Sequence, residues 1–501
     1  MTPALPRGAF ALALAATLAF RLWLSTALPV TADEAYFVLW GRSPDLGFYD
    51  HPPMIGWLLA PLVALSSADW VARLPVTVAP ALTALMVRHA LLRWFHAERD
   101  VADLAGIAVL LAPLNVWGVV VTTDAPLVVF SAASMVLFAR AAQRGSLAWF
   151  AASGAALGLA FLSKYFAVLL GVSYLVWAAA SAGAPRRWSG PLTAIAAAVP
   201  FGLLNLWWNL EACWCNVMFN AINRHQGAGW SAITPLLYLL AIAYLAAPLV
   251  WVILRDRRRI AAAARSSEAR ALVLAWLVPL AIFALLSPVR RIGLHWLLSF
   301  VPALVLTVAL ALDRARLAQV VRFFAWFGAL HVAAIVVIAA LPLEVWKSTQ
   351  VYSRLAFPGR TEELLRAVAD ERKTRVLAAD SYAAAAMLAY YARSPVPVFG
   401  IGTSHARHDD ILTDWRKYAG TDFVILRREP PAIEEYHPHF ASVEVRQVTL
   451  GPGKYYAVLG NHFRYEQYRA TVLREIRDRY YRIPAALPVR RCYFFERYFA
   501  S

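Results

Sequence analysis

Long apolar segments recur through the first two thirds of the chain, and they limit its fold more than any other feature. The first runs from about Phe10 to Leu28, which is long enough to cross a bilayer core of roughly 30 Å. About eleven such segments occur, centred near residues 19, 82, 111, 133, 157, 174, 199, 243, 279, 304 and 331. The pattern ends after roughly Pro342. We therefore expect a polytopic α-helical membrane domain in residues 1–342 and a soluble α/β domain in residues 343–501.

The composition agrees with this division. The chain has 501 residues, of which 60% are apolar and 16% charged, so it is too apolar for a soluble protein and too polar to lie wholly in lipid. Many spans follow the first apolar segment, and we therefore interpret that segment as an uncleaved helix and not as a signal peptide. Cys213, Cys215 and Cys492 are too few for a disulfide framework or a convincing zinc site. We expect Cys213 and Cys215 to be ordinary thiols.

Basic residues determine the predicted orientation, because short loops rich in Arg and Lys stay in the cytoplasm. Alternate loops carry Arg93, Arg99, Arg140, Arg144, Arg186, Arg187, Arg255, Arg257 to Arg259, Arg314, Arg316 and Arg322. The other loops lie around residues 30–68, 122–124, 164–166, 209–231 and 287–295, and they are poor in basic residues. They are expected to face outward, which in a bacterium is the periplasm. An odd number of spans places the C-terminal domain on the same side.

The first outward loop holds two candidate sites. Asp33 and Glu34 are expected to begin a short helix at the interface, where a carboxylate can accept a proton from an attacking hydroxyl or can cap the helix N-terminus. The corner Asp50-His51-Pro52-Pro53 is rigid because its prolines forbid a helix, and Pro53 can begin the next helix. His51 can bind a phosphate, carry a proton or simply complete the loop.

Two later spans end in polar residues on the same side. The run Thr122-Thr123-Asp124-Ala125-Pro126 is typical of a helix N-terminus with Asp124 as its cap. Its outward position, shared with Asp33, also favours a catalytic role. Lys164 ends a span against the positive-inside bias, and it either binds a phosphate or extends its ammonium group to the interface.

Cations and aromatic residues mark two further outward loops. One leads from Trp207-Trp208-Asn209-Leu210-Glu211 to Arg224 and His225, and the other leads from Arg290-Arg291 to His295-Trp296. Tryptophans often anchor a protein at the bilayer surface. Paired arginines on the disfavoured side fit a phosphate or diphosphate head group, and a salt bridge to the C-terminal domain is the alternative.

In the C-terminal third we expect helices at 361–371 and 381–392 and strands at 375–379, 396–400 and 423–426. A hairpin is expected from 443–450 to 455–459. The final segment, about forty residues long, is rich in Arg and Tyr, and the formal net charge of the chain is +17. Such a composition also occurs in nucleic-acid-binding proteins, but a basic segment outside the cytoplasm attracts anionic lipids. We expect a surface helix and no nucleic-acid partner.

Six short motifs follow one another in an order that resembles the bacterial polyprenyl-phosphate-sugar glycosyltransferases of the GT-C fold. They are Asp33-Glu34-Ala35-Tyr36, Tyr49-Asp50-His51-Pro52-Pro53, Thr123-Asp124-Ala125-Pro126, Leu162-Ser163-Lys164-Tyr165, Trp208-Asn209-Leu210-Glu211 and His295-Trp296. This group holds the protein O-mannosyltransferases and the aminoarabinose transferases that act on lipid A. Each motif alone is weak, whereas their order and shared outward placement are specific.

The resemblance implies that Asp33, with Glu34 beside it, and Asp124 are catalytic carboxylates. A leaving phosphate must also be neutralised by cations, and the candidates for this role are Lys164, Arg290, Arg291 and His51. The remaining substrate contacts are assigned to Asp50, Glu211, Arg224 and His295. The aminoarabinose transferases have Lys where this chain has His51 and Arg where it has Tyr36. These departures argue against aminoarabinose as the transferred sugar.

The implied reaction is an inverting transfer of a sugar from a polyprenyl-phosphate donor to lipid A, lipopolysaccharide or another envelope glycolipid. It takes place at the periplasmic face of the bacterial inner membrane and requires no cofactor, although a divalent metal is compatible with the acids. Protein O-glycosylation by the same chemistry and a lipid-linked sugar flippase or transporter are the alternatives. The sequence shows no internal repeat and places its ionisable groups at span ends, which disfavours a transporter.

Overall fold

The structure is a computed structural model that describes residues 5–223, 229–348, 350–402, 407–451 and 453–499. The chain forms two compact units. The first comprises Met1–Leu28, Ala68–Leu204 and Gly227–Ala340, and the second comprises Pro29–Ser67, Asn205–Gln226 and Leu341–Ser501. The second unit thus combines the C-terminal third of the chain with two segments that interrupt the first unit. The boundary expected at residue 342 lies beside the last of these junctions.

Eight helices are long and apolar enough to cross a membrane, counted over the described residues. They are Ala9–Ala27, Leu74–Arg93, Asp124–Arg144, Ser189–Glu211, Ile233–Arg255, Ser267–Leu286, Leu294–Ala311 and Arg314–Ala340. Helices also occur at three other expected centres, Arg99–Leu111, Leu147–Ser163 and Val168–Ala180, but they are shorter. The chain is therefore mostly helical, as expected, and the number of eleven crossings stays a prediction. Short helices Asp69–Ala72 and Arg257–Ala263 complete the first unit.

A buried arginine organises the start of the first unit. In the Leu74–Arg93 helix Pro80 has no N–H, so the carbonyl of Val76 loses its helical partner. Arg21, which is 1% exposed, supplies the missing donor, because its Nη2 lies 2.7 Å from Val76 O. Its Nε also donates to Thr77 O at 2.9 Å. The same guanidinium also donates to the carbonyls of Asn115 and Gly118. Arg21 therefore joins three segments through backbone oxygens.

Small residues bring two neighbouring helices together. Gly145 ends the Asp124–Arg144 helix in the left-handed region, at φ 63°, so the chain can turn directly into Leu147–Ser163. Within the pair, Ser134 and Ser153 bond each other, and the Ser134 hydroxyl lies 2.6 Å from the hydroxyl of Tyr174. Small polar residues of this kind let helices approach closely and pair their polar groups inside a membrane protein.

The second unit contains a four-stranded sheet. Its strands are β1 (Val376–Ala379), β2 (Phe423–Arg427), β3 (Ser442–Leu450) and β4 (Gly453–Asn461). The order is β1-β2-β4-β3, with β1 and β2 parallel and the other neighbours antiparallel. The sheet confirms the expected α/β character and the hairpin. The strand expected at 396–400 is wrong, because only Val398 pairs there, through one bridge to Ala379.

The second unit also contains many helices, most of them short. They are Ala32–Arg42, Met54–Leu65, Cys215–Val217, Met218–Ile222, Leu343–Trp346, Gln350–Ala367, Glu371–Thr374, Tyr382–Ala392, Asp409–Leu412, Trp415–Tyr418, Ile433–Glu435, His437–His439, Tyr465–Tyr468, Arg469–Leu473, Arg474–Tyr480 and Tyr493–Tyr498. The basic final segment is helical, as expected, but it also has a buried face: Tyr468, Leu473, Ile476 and Phe494 join the aromatic core of this unit.

The expectation that Cys213 is an ordinary thiol is wrong. Cys213 and Cys492 form a disulfide across 279 residues of sequence, and Cys215 remains a buried free thiol. Next to this bond, the backbone amides of Arg490 and Arg491 both donate to the carbonyl of Leu210. The two cysteines lie too far apart in sequence for their spacing to indicate a pair.

The Arg21 network gives a stability prediction. We expect Arg21→Leu to destabilise the protein by at least about 3 kcal/mol, because each buried polar group left without a partner costs about 1–3 kcal/mol. Pro80→Ala gives Val76 a helical N–H partner, so Arg21→Leu should cost less in that background. The wild type, the two single variants and the double variant form a double-mutant cycle, and thermal unfolding in detergent measures the stability of each. Strictly additive losses of stability would show that Arg21 does not replace the hydrogen-bond donor that Pro80 lacks.

Candidate functional site

The adjacent acids at the start of the Ala32–Arg42 helix have different surroundings. Glu34 is 1% exposed, and its Oε2 accepts from the backbone N–H of Thr31 at 2.9 Å, while the Thr31 hydroxyl accepts from Glu34 N at 3.3 Å. This reciprocal pair is a capping box. Asp33 lies one position earlier and is exposed. Asp33 is therefore the acid whose carboxylate is available to a substrate.

Two tyrosines hold the acids of the first loop. Tyr382 donates to Asp33 Oδ1 at 3.2 Å, and Tyr36 donates to Asp50 Oδ1 at 3.1 Å. The two tyrosine rings meet edge to face with centroids 5.3 Å apart. Burial raises the pKa of Tyr382, and the charge of Asp33 raises it further. The hydroxyl thus stays protonated and remains a donor to the carboxylate.

The Asp50-His51 corner is fixed mainly through its backbone. Asn220 donates to the carbonyl of Asp50 at 2.9 Å, and Asn216 donates to the carbonyl of Phe48 at 2.8 Å. His51 Nε2 lies 3.8 Å from Asp50 Oδ2. The Met54–Leu65 helix follows directly after Pro53, as the prolines indicated. Asp50 and His51 are therefore positioned together by amides from the 205–226 segment.

In the first unit Asp124 and Lys164 form a buried ion pair. Lys164 Nζ lies 2.8 Å from Asp124 Oδ1, and each side chain is 9% exposed. Asp124 is the first residue of its helix, and Lys164 follows the last residue of Leu147–Ser163. Each charge therefore complements the dipole of the helix end on which it lies.

Aromatic rings connect this ion pair to a distant motif. The ammonium of Lys164 lies 5.6 Å from the ring centroid of Phe166. The Phe166 ring in turn packs on Trp296, with centroids 4.2 Å apart. Trp296 follows His295, whose side chain is exposed. The structure thus brings three motif segments of the first unit, those with Asp124, Lys164 and Trp296, into one cluster.

Arg290 and Arg291 follow the Ser267–Leu286 helix. Arg290 is half-buried and Arg291 is exposed. Neither guanidinium has an ion-pair partner among the residues that the structure describes. The salt bridge considered as an alternative for these arginines is thus not seen within the described chain, and both remain available to an anion.

The loop around residues 209–231 holds two substrate-binding candidates, Glu211 and Arg224. Glu211 forms an ion pair with Arg490 at 3.1 Å, and the Arg490 guanidinium lies 4.5 Å from the ring centroid of Trp207. This pair stands beside the Cys213–Cys492 disulfide, so Glu211 helps to fasten the C-terminal segment. Arg224 and His225 lie outside the described residues.

Sequence reasoning did not identify Tyr382 as a neighbour of Asp33. The two residues are 349 positions apart, and a tyrosine in an alanine-rich helix carries no local signal of function. No group of three His, Cys, Asp or Glu side chains that could hold a metal ion occurs in the described parts of the chain.

Comparison with known sequences gives two partial matches. A family model described as dolichyl-phosphate-mannose-protein mannosyltransferase matches residues 50–208, a range that includes Asp50, Asp124 and Lys164. The lipid A galacturonosyltransferase RgtD of Rhizobium johnstonii is 30% identical over 205 residues, which are 39% of this chain and 42% of that protein. The match thus spans less than half the length of this curated relative.

Solved structures match over nearly the whole chain. ArnT from Cupriavidus metallidurans bound to undecaprenyl phosphate is similar with a TM-score of 0.65 at 17% identity, over 91% of this chain and 98% of that one. The apo state of the same protein gives a TM-score of 0.61 at 18% identity, over 90% and 98%. The chain therefore has the GT-C fold, which confirms the resemblance to the polyprenyl-phosphate-sugar glycosyltransferases that its motifs indicated.

Proposed function

We propose that this protein transfers a sugar from a polyprenyl-phosphate donor to a glycolipid acceptor of the bacterial envelope, most simply lipid A. The observation that carries the proposal is the fold match with ArnT, which covers almost the whole chain. The partial match with a lipid A galacturonosyltransferase supports the class of acceptor. The exposed carboxylate of Asp33 supplies a group that the reaction can use.

The chemistry is a single displacement. An acceptor hydroxyl attacks the anomeric carbon, the bond from that carbon to the phosphate oxygen breaks, and the polyprenyl phosphate leaves with the bonding electrons. The proton of the hydroxyl passes to the carboxylate of Asp33, which Tyr382 orients. Attack opposite to the leaving group inverts the anomeric centre.

The leaving phosphate needs cations, because negative charge develops on it as the bond breaks. Arg290 and Arg291 are the first candidates, since their guanidinium groups are not paired with acids in the described chain. Lys164 is a further candidate, but Asp124 already neutralises it. His51, beside Asp50 in the second unit, is the fourth. The acceptor-side roles of Asp50, Glu211 and His295 stay predictions.

We assign the reaction to the periplasmic face of the inner membrane. Disulfides form in the periplasm and are rare in the cytosol, so the Cys213–Cys492 bond of the second unit supports an outward position for that unit. The distribution of basic residues among the loops favours the same orientation.

A second candidate function is protein O-glycosylation by the same displacement. It is favoured by the family model, whose description names a protein mannosyltransferase and which covers residues 50–208. A flippase or transporter of lipid-linked sugars would translocate its substrate even without Asp33, so the same variants also test that alternative.

The two adjacent acids form a matched pair of variants. We expect Asp33→Asn to lower turnover by at least about 100-fold, the usual contribution of a general base, while the protein unfolds at the wild-type temperature. Glu34→Gln should keep both turnover and most of the stability, because a glutamine side chain can also complete a capping box. Mass spectrometry of envelope lipids and glycoproteins reports turnover, and thermal unfolding in detergent reports stability.

The same measurement identifies the acceptor. A sugar-sized mass that disappears from lipid A in the Asp33→Asn strain, with accumulation of the polyprenyl donor, supports the main proposal. Its disappearance from a protein supports the second candidate. Loss of turnover in a stable Glu34→Gln protein would instead make Glu34 the base.

The buried ion pair gives a second test. Asp124→Asn or Lys164→Gln alone leaves a buried charge without its partner, and we expect each to cost about 3–5 kcal/mol. The double variant removes both charges and should regain most of that stability. If Lys164 binds the donor phosphate, turnover stays low in the double variant. If the pair is only structural, turnover returns together with the unfolding temperature.

The disulfide gives a third prediction. Alkylation of the denatured protein without reduction should modify one thiol, Cys215, and reduction should raise the number to three. Cys492→Ser should lower stability by about 2–4 kcal/mol, whereas Cys215→Ser should preserve the bond. Mass spectrometry counts the modified thiols. Three modified thiols without reduction would remove this support for a periplasmic position.

A further inference from the structure

A cavity of about 380 Å³ lies within the second unit, next to the candidate base. Its walls come from the Ala32–Arg42 helix, the Tyr382–Ala392 helix, the segment after that helix and the residues from His408 to Tyr418. A volume of this size falls in the range of small-molecule sites. The displacement proposed above assigns no role to this cavity.

Small side chains create the space. The Tyr382–Ala392 helix presents Ala385, Ala386 and Ala389 to the cavity. Two of these positions are four residues apart and therefore share one helix face. Larger residues there would fill the cavity, so its volume depends on a few alanines.

The cavity carries two guanidinium groups. Arg42 Nη1 and Nη2 donate to the carbonyls of Ala389 and Tyr390 at 3.1 and 3.3 Å, and Arg393 Nη2 donates to the hydroxyl of Ser67 at 2.9 Å. A guanidinium has five N–H donors, so both arginines keep donors beyond these bonds. Neither forms an ion pair with an acid among the described residues.

A buried neutral histidine is also part of the wall. His408 is 3% exposed, and burial lowers the pKa of its ring to about 3, so the ring is neutral. Its Nδ1 accepts from the backbone N–H of Tyr49 at 3.5 Å, which places the ring proton on Nε2. Nε2 is buried and has no hydrogen-bond partner within the described chain.

The one acid in the wall opposes an anion only weakly. Burial, together with the charge of Asp410, raises the pKa of Asp409 to about 7. A carboxyl with that pKa is partly protonated at neutral pH. The charge of the wall is therefore positive, and Tyr36, Tyr382 and Tyr418 also line the cavity.

The cavity also adjoins Asp33. Tyr382 is part of its wall, and the hydroxyl of the same residue donates to Asp33 Oδ1. Tyr36, another wall residue, bonds Asp50. From these observations we propose that the cavity binds an anionic saccharide of the acceptor, a sugar ring that bears a phosphate or a carboxylate, and places its neighbouring hydroxyl near Asp33. This inference rests on the proposed function, since it assigns the acceptor subsite of the same reaction.

Binding to a protein that cannot turn over tests the subsite separately from the reaction. We would measure the affinity of detergent-purified Asp33→Asn protein for bisphosphorylated lipid A. Arg393→Gln in that background should weaken binding about 10-fold or more, as expected for loss of a charged hydrogen bond. Ala389→Leu should weaken it by filling the cavity. Arg464→Gln removes an exposed arginine of the same unit outside the cavity wall and should leave the affinity unchanged.

Three acceptors distinguish the source of the anion: bisphosphorylated lipid A, fully dephosphorylated lipid A, and the dephosphorylated form extended by one carboxylate sugar. A phosphate ligand predicts that Arg393→Gln affects only the first acceptor. A carboxylate ligand predicts an effect on the third. Equal affinity of all variants, with unchanged unfolding temperatures, would overturn the subsite, and so would a failure of the parent protein to bind any of the three.

The outcomes also separate the two proposals. If wild-type protein transfers a sugar to lipid A but binding ignores Arg393 and Ala389, the subsite is wrong and the proposed function stands. If binding depends on Arg393 while wild-type protein transfers nothing to lipid A, the subsite stands and the proposed reaction is wrong.

Discussion

The capping box between Thr31 and Glu34 determines how the candidate site of the second unit is arranged. It fixes where the Ala32–Arg42 helix begins, and with 3.6 residues per turn this start fixes the direction of every later side chain. Asp33 and Tyr36, three positions apart, share a face and both meet Tyr382. Arg42, at the other end of the helix, lines the cavity of this unit. A shift of one residue would turn these groups by about 100° and separate them.

The same box shows how far the sequence could distinguish the two candidate acids. The resemblance assigned the catalytic role to Asp33, with Glu34 beside it, but the sequence left open which of the two carboxylates faces the cavity. The spacing of Thr31 and Glu34 is the sequence signature of a capping box, so the choice was available in principle from local residues. Hydropathy located the long apolar helices, because a segment that crosses a lipid bilayer has a strong local sequence pattern. It could not count crossings, since helices as short as Leu147–Ser163 fall near the limit of spanning length.

Long-range pairs could not be predicted for a different reason. The Cys213–Cys492 bond joins residues 279 positions apart, and the Tyr382–Asp33 hydrogen bond joins residues 349 positions apart. No local sequence pattern indicates either pairing. Arg21 is similar: an arginine inside an apolar segment is unfavourable there, and its role depends on the Val76 carbonyl, which lacks a helical partner because of Pro80 in another helix. Such residues become meaningful only when the polar groups that they satisfy are known.

The pairing of charges in the first unit bears on how a phosphate is held. Inside a protein a lone charge is costly, and Asp124 neutralises Lys164 where both are buried. A cation that must receive a substrate phosphate has to remain available. Exposure to water lowers the free-energy cost of an unpaired charge for Arg291, which is exposed, and in part for Arg290, which is half-buried. We infer that the arginines bind the donor phosphate in the resting enzyme. Lys164 would join them only when the phosphate competes with Asp124, so its contribution should appear as charge develops on the leaving group.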